Sequence, residues 1–180
     1  MSDTPYLGQT TDIILGQEFL TWLWYQSDTA PGSFTDKQGM PFSVSMEQRI
    51  VVQGGEGDNL ETASVSGSLS PLREARFGLA TGKQVTRALI RLEKDDLAWQ
   101  LTLKAADFSL NSLKTPKVEK ESDDEDQDAQ LLEKLYLTEL CVGLMDALYS
   151  RFLQLRLSPA LWNKEILDVH HWMTKRDAAT

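Results

Sequence analysis

The chain has 180 residues, with 18 Lys and Arg against 27 Asp and Glu for a formal net charge of −9, and it is 41% hydrophobic and 25% charged. That balance suits one or two compact domains with a buried core and excludes a chain disordered throughout. No apolar run approaches the roughly 20 residues that cross a bilayer. The single cysteine, Cys141, cannot form an internal disulfide or by itself build a zinc or iron–sulfur site, which removes the disulfide-scaffold and Cys-ligated metal classes; the expectation is no metal and no cofactor. The first eleven residues lack the basic start and apolar core of a secretory signal, and the expected address is the cytoplasm.

Thr11 or Asp12 can cap a first helix running to about Gln26, with Ile13, Leu15, Phe19, Leu20, Leu23 and Trp24 at helical spacing. Ala30-Pro31-Gly32-Ser33 stops it. Over about 42–53, Phe42, Val44, Met46 and, after a slip, Ile50 and Val52 alternate with polar residues, which predicts a strand. Gly54 to Asn59 is rich in residues that tolerate positive φ and should turn the chain into a second strand near 60–68, making a hairpin. Ser70-Pro71 reads as the start of a short helix that Gly82 stops. From Gln84, Ala88, Ile90 and Leu92 face one way while Lys83, Arg87 and Arg91 face the other. After the polar turn Lys94-Asp95-Asp96, Leu97, Trp99, Leu101 and Leu103 alternate again, predicting a second hairpin, with residues 107–116 as irregular chain along it.

Seven acids against one lysine crowd residues 119–128. Such a segment has nothing to bury, so 117–130 reads as a solvated linker between an N-terminal region, 1–116, and a C-terminal helical region, 131–180. Leu131 to Leu157 predicts one long helix with two apolar stripes, Leu135, Val142, Met145, Tyr149 and Phe152 beside Leu137, Cys141, Leu144, Leu148 and Leu155. Two stripes require cover on two sides, one from the sheet and the other from a second helix or a second subunit. Ser158-Pro159 caps a last helix over about 160–175. The class is α+β: an antiparallel sheet of two hairpins backed by a long central helix, with an N-terminal helix and a short C-terminal helix.

Few residues point to chemistry. Gly78-Leu-Ala-Thr-Gly82-Lys83-Gln84 is one residue short of a phosphate-binding loop and has Gln84 where a magnesium-binding hydroxyl belongs. His170 and His171 point about 100° apart on a helix and cannot chelate one metal, and one of them is expected in the core. Asp36 and Glu47 faintly echo the strand carboxylates of metal-dependent nucleases, which is the enzymatic alternative. Trp22, Trp24, Trp99 and Trp162 fit apolar patterns, leaving Trp172 as the tryptophan nearest solvent. The polar feature with most content lies between 71 and 94, where Arg73, Arg76, Lys83, Arg87, Arg91 and Lys94 oppose only Glu74 and Glu93. Arg73, Arg76, Lys83, Arg87 and Arg91 are the candidate anion-binding or DNA-binding residues. A solvated face, or a dock for the acidic linker, is the plainer interpretation.

Four stretches belong together: Leu15-Gly-Gln-Glu-Phe-Leu-Thr-Trp-Leu-Trp-Tyr; Glu47-Gln-Arg-Ile-Val-Val-Gln-Gly-Gly-Glu-Gly; Leu72-Arg-Glu-Ala-Arg with Gly82-Lys-Gln-Val-Thr-Arg-Ala-Leu; and Phe108-Ser-Leu with Leu113-Lys-Thr-Pro-Lys-Val-Glu-Lys. They resemble proteins associated with the recombination-associated RdgC family of deltaproteobacteria, in stretches beside or after the RdgC-like sequence rather than in its basic, ring-forming part. RdgC proteins bind duplex DNA without sequence preference and restrain recombinase filaments, so the resemblance implies a DNA-recombination context by association. It brings no functional residue with it. The expectation is a non-enzymatic binding or assembly protein with a protein partner or self-association, weak non-specific DNA contact and no membrane.

Overall fold

A computed structural model describes residues 9–54, 61–66, 69–117 and 127–175. Four helices and six strands follow one another as α1 (Gln9–Thr29), β1 (Phe34–Thr35), β2 (Pro41–Gly54), β3 (Glu61–Ser66), α2 (Leu69–Ala80), β4 (Gln84–Lys94), β5 (Leu97–Lys104), β6 (Leu110–Lys114), α3 (Gln127–Arg156) and α4 (Pro159–Thr174). The fold is α+β. No helix among the described residues is long and apolar enough to cross a membrane.

All strand pairs are antiparallel, in the order β1-β2-β4-β5-β6, with β3 on the far end of β2. The two expected hairpins, β2–β3 and β4–β5, are joined through β2 and β4. Two irregularities set which side chains face inward. Between Met46 and Ile50 the long strand β2 gains two residues over β4, which keeps Ile50 and Val52 on the same face as Val44. Opposite Val51 and Val52, β4 holds Thr86 as an extra residue, whose hydroxyl donates to the Val51 carbonyl at 3.3 Å. That single insertion puts Val85 on the buried face with Ala88, Ile90 and Leu92, all fully buried.

One face of the sheet carries the core. Phe42, Val44, Ile50, Val52, Trp99, Leu101 and Leu103 are at most 3% exposed and belong to one cluster with the helices. α1 crosses β2 and β4, coming so close at Gly16 that a Cβ there would lie 2.0 Å from the Ala105 carbonyl oxygen. Phe19, Trp22 and Leu23 are buried because α3 and α4 close over the helix, with Phe152 of α3 5.4 Å from the ring of Phe19 and 5.6 Å from that of Trp22. α3 also reaches the sheet, where the Trp99 indole N–H donates to the Leu137 carbonyl at 2.8 Å. α4 is tied to α1 by Glu165, which accepts from the Trp22 indole and the Gln26 amide, both at 2.8 Å.

Several expectations shift. α2 begins at Leu69, so Ser70 and Pro71 lie inside its first turn, where the missing proline N–H costs nothing. Gly82 does stop it, at φ 97°. The stretch expected to be irregular contains β6, paired with β5 through a register shift between Gln100 and Thr102 and with Ser112 at positive φ. Its alternation is not apolar, so no hydrophobic period announces it. α3 starts at Gln127, taking in the end of the supposed linker, while residues 118–126 lie outside the described ones. Trp172 is buried, its indole N–H donating to Asp28 at 3.1 Å, and Trp162 is the half-buried one. His170 and His171 are both exposed, against the expectation that one would sit in the core.

A candidate anion-binding sheet face

Among the described residues no helix covers the second face of the sheet. Ser45, Val51, Arg87, Leu89, Arg91, Glu93, Gln100, Thr102, Lys104 and Asn111 are all exposed or partly so. Cross-strand register orders them. Arg87 lies opposite Val51 on one side and Lys104 on the other; Arg91 lies between Ser45 and Gln100, and Gln100 in turn faces Lys114. With strands about 4.8 Å apart, Arg87 and Lys104 are direct neighbours, and Arg91 stands about 13 Å further along β4. Arg91 Nε donates to Glu93 Oε1 at 2.6 Å, so its charge is partly spent within its own strand. Asp107 accepts the Ser109 amide at 3.0 Å, and hydrogen bonds from the Ser109 hydroxyl and then its amide, more than the charge of Lys104, hold its carboxyl below the usual carboxylate range.

The five candidate residues do not form one set. Arg87 and Arg91 share the open face. Lys83 does not join them, because the extra residue Thr86 reverses the alternation between it and Arg87. Its side chain lies against Gly54 and Gly78, with Cγ 2.7 Å from where a Gly54 Cβ would be. Arg73 is exposed on α2. Arg76 is drawn inward: it is 8% exposed, its guanidinium lies 5.8 Å from the Trp172 ring, and Nη2 donates to the Lys175 carbonyl at 2.8 Å. It ties the end of α4 to α2. Lys104 and Lys114 take the vacated place on the open face. The two-residue turn Asp95-Asp96 fixes the β4–β5 register, which sets Arg87 opposite Lys104 by counting alone, so Lys104 was legible; Lys114 was not, since β6 carries no strand signal.

Other motifs resolve into structure. The amides of Thr81, Gly82 and Lys83 donate to the carbonyls of Gly78 and Leu79 at 3.1 Å, so the glycine loop turns its N–H groups inward instead of toward a phosphate. Gly82, Lys83 and Gln84 instead line a cavity of about 450 Å³ between α1, α2 and α4. Asp36 Oδ1 accepts the amides of Gln38 and Met40 at 2.9 Å, while Oδ2 meets Lys94 at 2.5 Å. The Lys94 contact, with those amides, holds the Asp36 carboxyl below its ordinary value. Asp36 thus closes the β1–β2 loop onto β4. Glu47 lies within β2 at the irregularity that follows Met46, whose partner Ile90 is four residues, or about 13 Å, along β4 from Lys94; its side chain lies outside the described residues. Among the described residues no three His, Cys, Asp or Glu side chains gather. Cys141 is buried, which pushes its thiol up to about 11 and leaves it protonated at neutral pH.

No family model matches the chain, and no curated protein and no solved structure matches it.

Proposed function

We propose that this chain is a non-enzymatic, cytoplasmic binding or assembly protein of RdgC-type recombination control, and that the open sheet face meets the phosphate backbone of duplex DNA without sequence preference. The observation that carries this reading is the placement of Arg87 directly opposite Lys104 on that face. Like charges at a cross-strand position oppose the pairing they sit on, and a bound polyanion offsets that repulsion. Arg91 and Lys114 share the row of Gln100, separated from the Arg87–Lys104 row by Leu89 and Thr102, and carry positive charge across three strands. The resemblance to RdgC-associated proteins supports the same context. A net charge of −9 confines the contact to low ionic strength.

An electrophoretic shift assay with unrelated duplex sequences tests it. Retarded DNA is expected at low salt, equally for every sequence. With three or four phosphates neutralised, affinity should fall with a log–log salt slope of about −3. An Arg87→Glu, Lys104→Glu double variant should abolish the shift. No retarded DNA at tens of micromolar protein in low salt overturns the DNA contact.

A further inference from the structure

The N-terminal half of α3 carries two neighbouring stripes that none of the described residues covers. Leu131, Leu135, Thr138 and Val142 form one, at i, i+4, i+7 and i+11, and Leu132, Tyr136, Glu139 and Gly143 form the other at the same spacing. Every large apolar member of these stripes is at least half exposed. Tyr136, Glu139 and Gly143 of the second stripe form one wall of a groove of about 440 Å³, and Leu132 continues the stripe one turn beyond it. The groove's other walls are the β1–β2 loop at Lys37 and the β4–β5 turn at Asp95, and Leu97 and Leu140 line it as well.

Gly143 gives the groove its shape. A Cβ there would meet nothing within 4 Å, so no neighbour among the described residues requires the glycine. A glycine inside a 30-residue helix weakens that helix. What it provides is a notch that lets a second backbone approach α3 closely.

Charge decides the occupant. Of the basic residues at the groove, Lys37 is held by Asp146 at 2.6 Å and Lys94 by Asp36 at 2.5 Å. Lys134 lies nine residues before Gly143, half a turn round from it, on the opposite side of α3. Glu139, Glu133, Asp95 and Asp96 are exposed around the apolar strip. A second copy of this chain would set two acidic rims against each other. We infer that the groove docks a basic amphipathic helix of a partner protein, its apolar face on Leu132, Tyr136 and Gly143 and its Lys or Arg side chains against Glu139 and Asp95. α3 lies on the covered side of the sheet, so this site is separate from the basic face and does not rest on the DNA reading.

The test uses the full chain and a fluorescein-labelled synthetic peptide of about 20 residues, a helix roughly 30 Å long. Leucines occupy one face and lysines the rest; a second peptide carries glutamate in place of lysine. Fluorescence anisotropy should show the lysine peptide binding at least tenfold more tightly than the glutamate peptide. Gly143→Leu, which fills the notch, and Glu139→Lys, which reverses the rim, should each weaken it at least tenfold, whereas Arg87→Glu on the far sheet face should leave it unchanged. Circular dichroism confirms that the variants are folded, and exposed Glu139→Lys decides the matter alone if Gly143→Leu is not. Equal binding of the two peptides, or parent-like binding by folded variants, overturns the inference. So does a chain that sediments as a dimer and becomes monomeric with Gly143→Leu, which would give the groove to a second copy. Loss of DNA binding in the Arg87→Glu, Lys104→Glu variant reports on the other face, so the two proposals fail separately.

Discussion

Gly16 and Gly143 both lie inside continuous helices, and their surroundings give them opposite meanings. At Gly16 the α1 backbone touches the Ala105 carbonyl so closely that any Cβ would overlap it, and Ala105 is itself fixed by its N–H, which donates to the Thr86 carbonyl at 2.9 Å. Gly16→Ala must therefore lift α1 from the sheet. A loss of about 1–3 kcal/mol, read from urea unfolding, is expected. At Gly143 the space is open, and Gly143→Ala should gain about 1 kcal/mol in the same measurement through helix propensity alone. A sequence shows both as glycines inside helical patterns and cannot separate them, because only the neighbour across the interface differs. Arg76 makes the same point with charge. Its spacing places it beside Arg73 on a basic segment, and only the docking of α4 sends it under Trp172.

Among the elements, α3 is one continuous helix with two different halves. Its period announced both apolar stripes and the need for two covers, and from Leu144 onward both are present: Leu144, Met145, Leu148 and Phe152 are buried. Towards the N-terminus the described residues cover the stripe of Leu137 and Cys141 and leave Leu135 and Val142 at least half exposed. Leu148→Asp should therefore cost several kcal/mol, since an unpaired charge would enter the interior. Leu135→Asp should change stability by no more than about 0.5 kcal/mol. Thermal melts of the two variants check this; a large loss in the second would show that the chain covers this surface. Among the strands, β2 and β4 were legible from alternation. The extra residue at Thr86 was not, as nothing in Val85-Thr86-Arg87 departs from an ordinary strand, and it is this residue that separates Lys83 from Arg87.

Across the whole molecule, α4 holds the helices together through polar groups at its buried edge. Glu165 satisfies two donors of α1, Asp28 receives the Trp172 indole, and Arg76 of α2 caps the Lys175 carbonyl. Glu165→Ala leaves the Trp22 and Gln26 donors without their acceptor, and a loss of about 1–3 kcal/mol at equilibrium unfolding is expected. The same assembly separates charge, with the positive strip on the open sheet face and the acidic rim along α3 on the covered side. Net charge alone describes neither.

The α+β class, the two hairpins, the long helix and the identity of most core residues follow from local period and turn chemistry, which depend on a few consecutive residues and are present in the sequence itself. Which of the basic residues meet on one surface, whether Trp162 or Trp172 faces outward, and which half of α3 stays uncovered depend on contacts between residues far apart in the chain. Arg87 and Lys104 are neighbours because two strands pair, Arg76 is buried because a helix a hundred residues later packs on it, and the groove beside Gly143 exists because two loops and a helix converge. Those distances are closed only by the tertiary fold, where packing decides between faces that the one-dimensional pattern leaves equivalent.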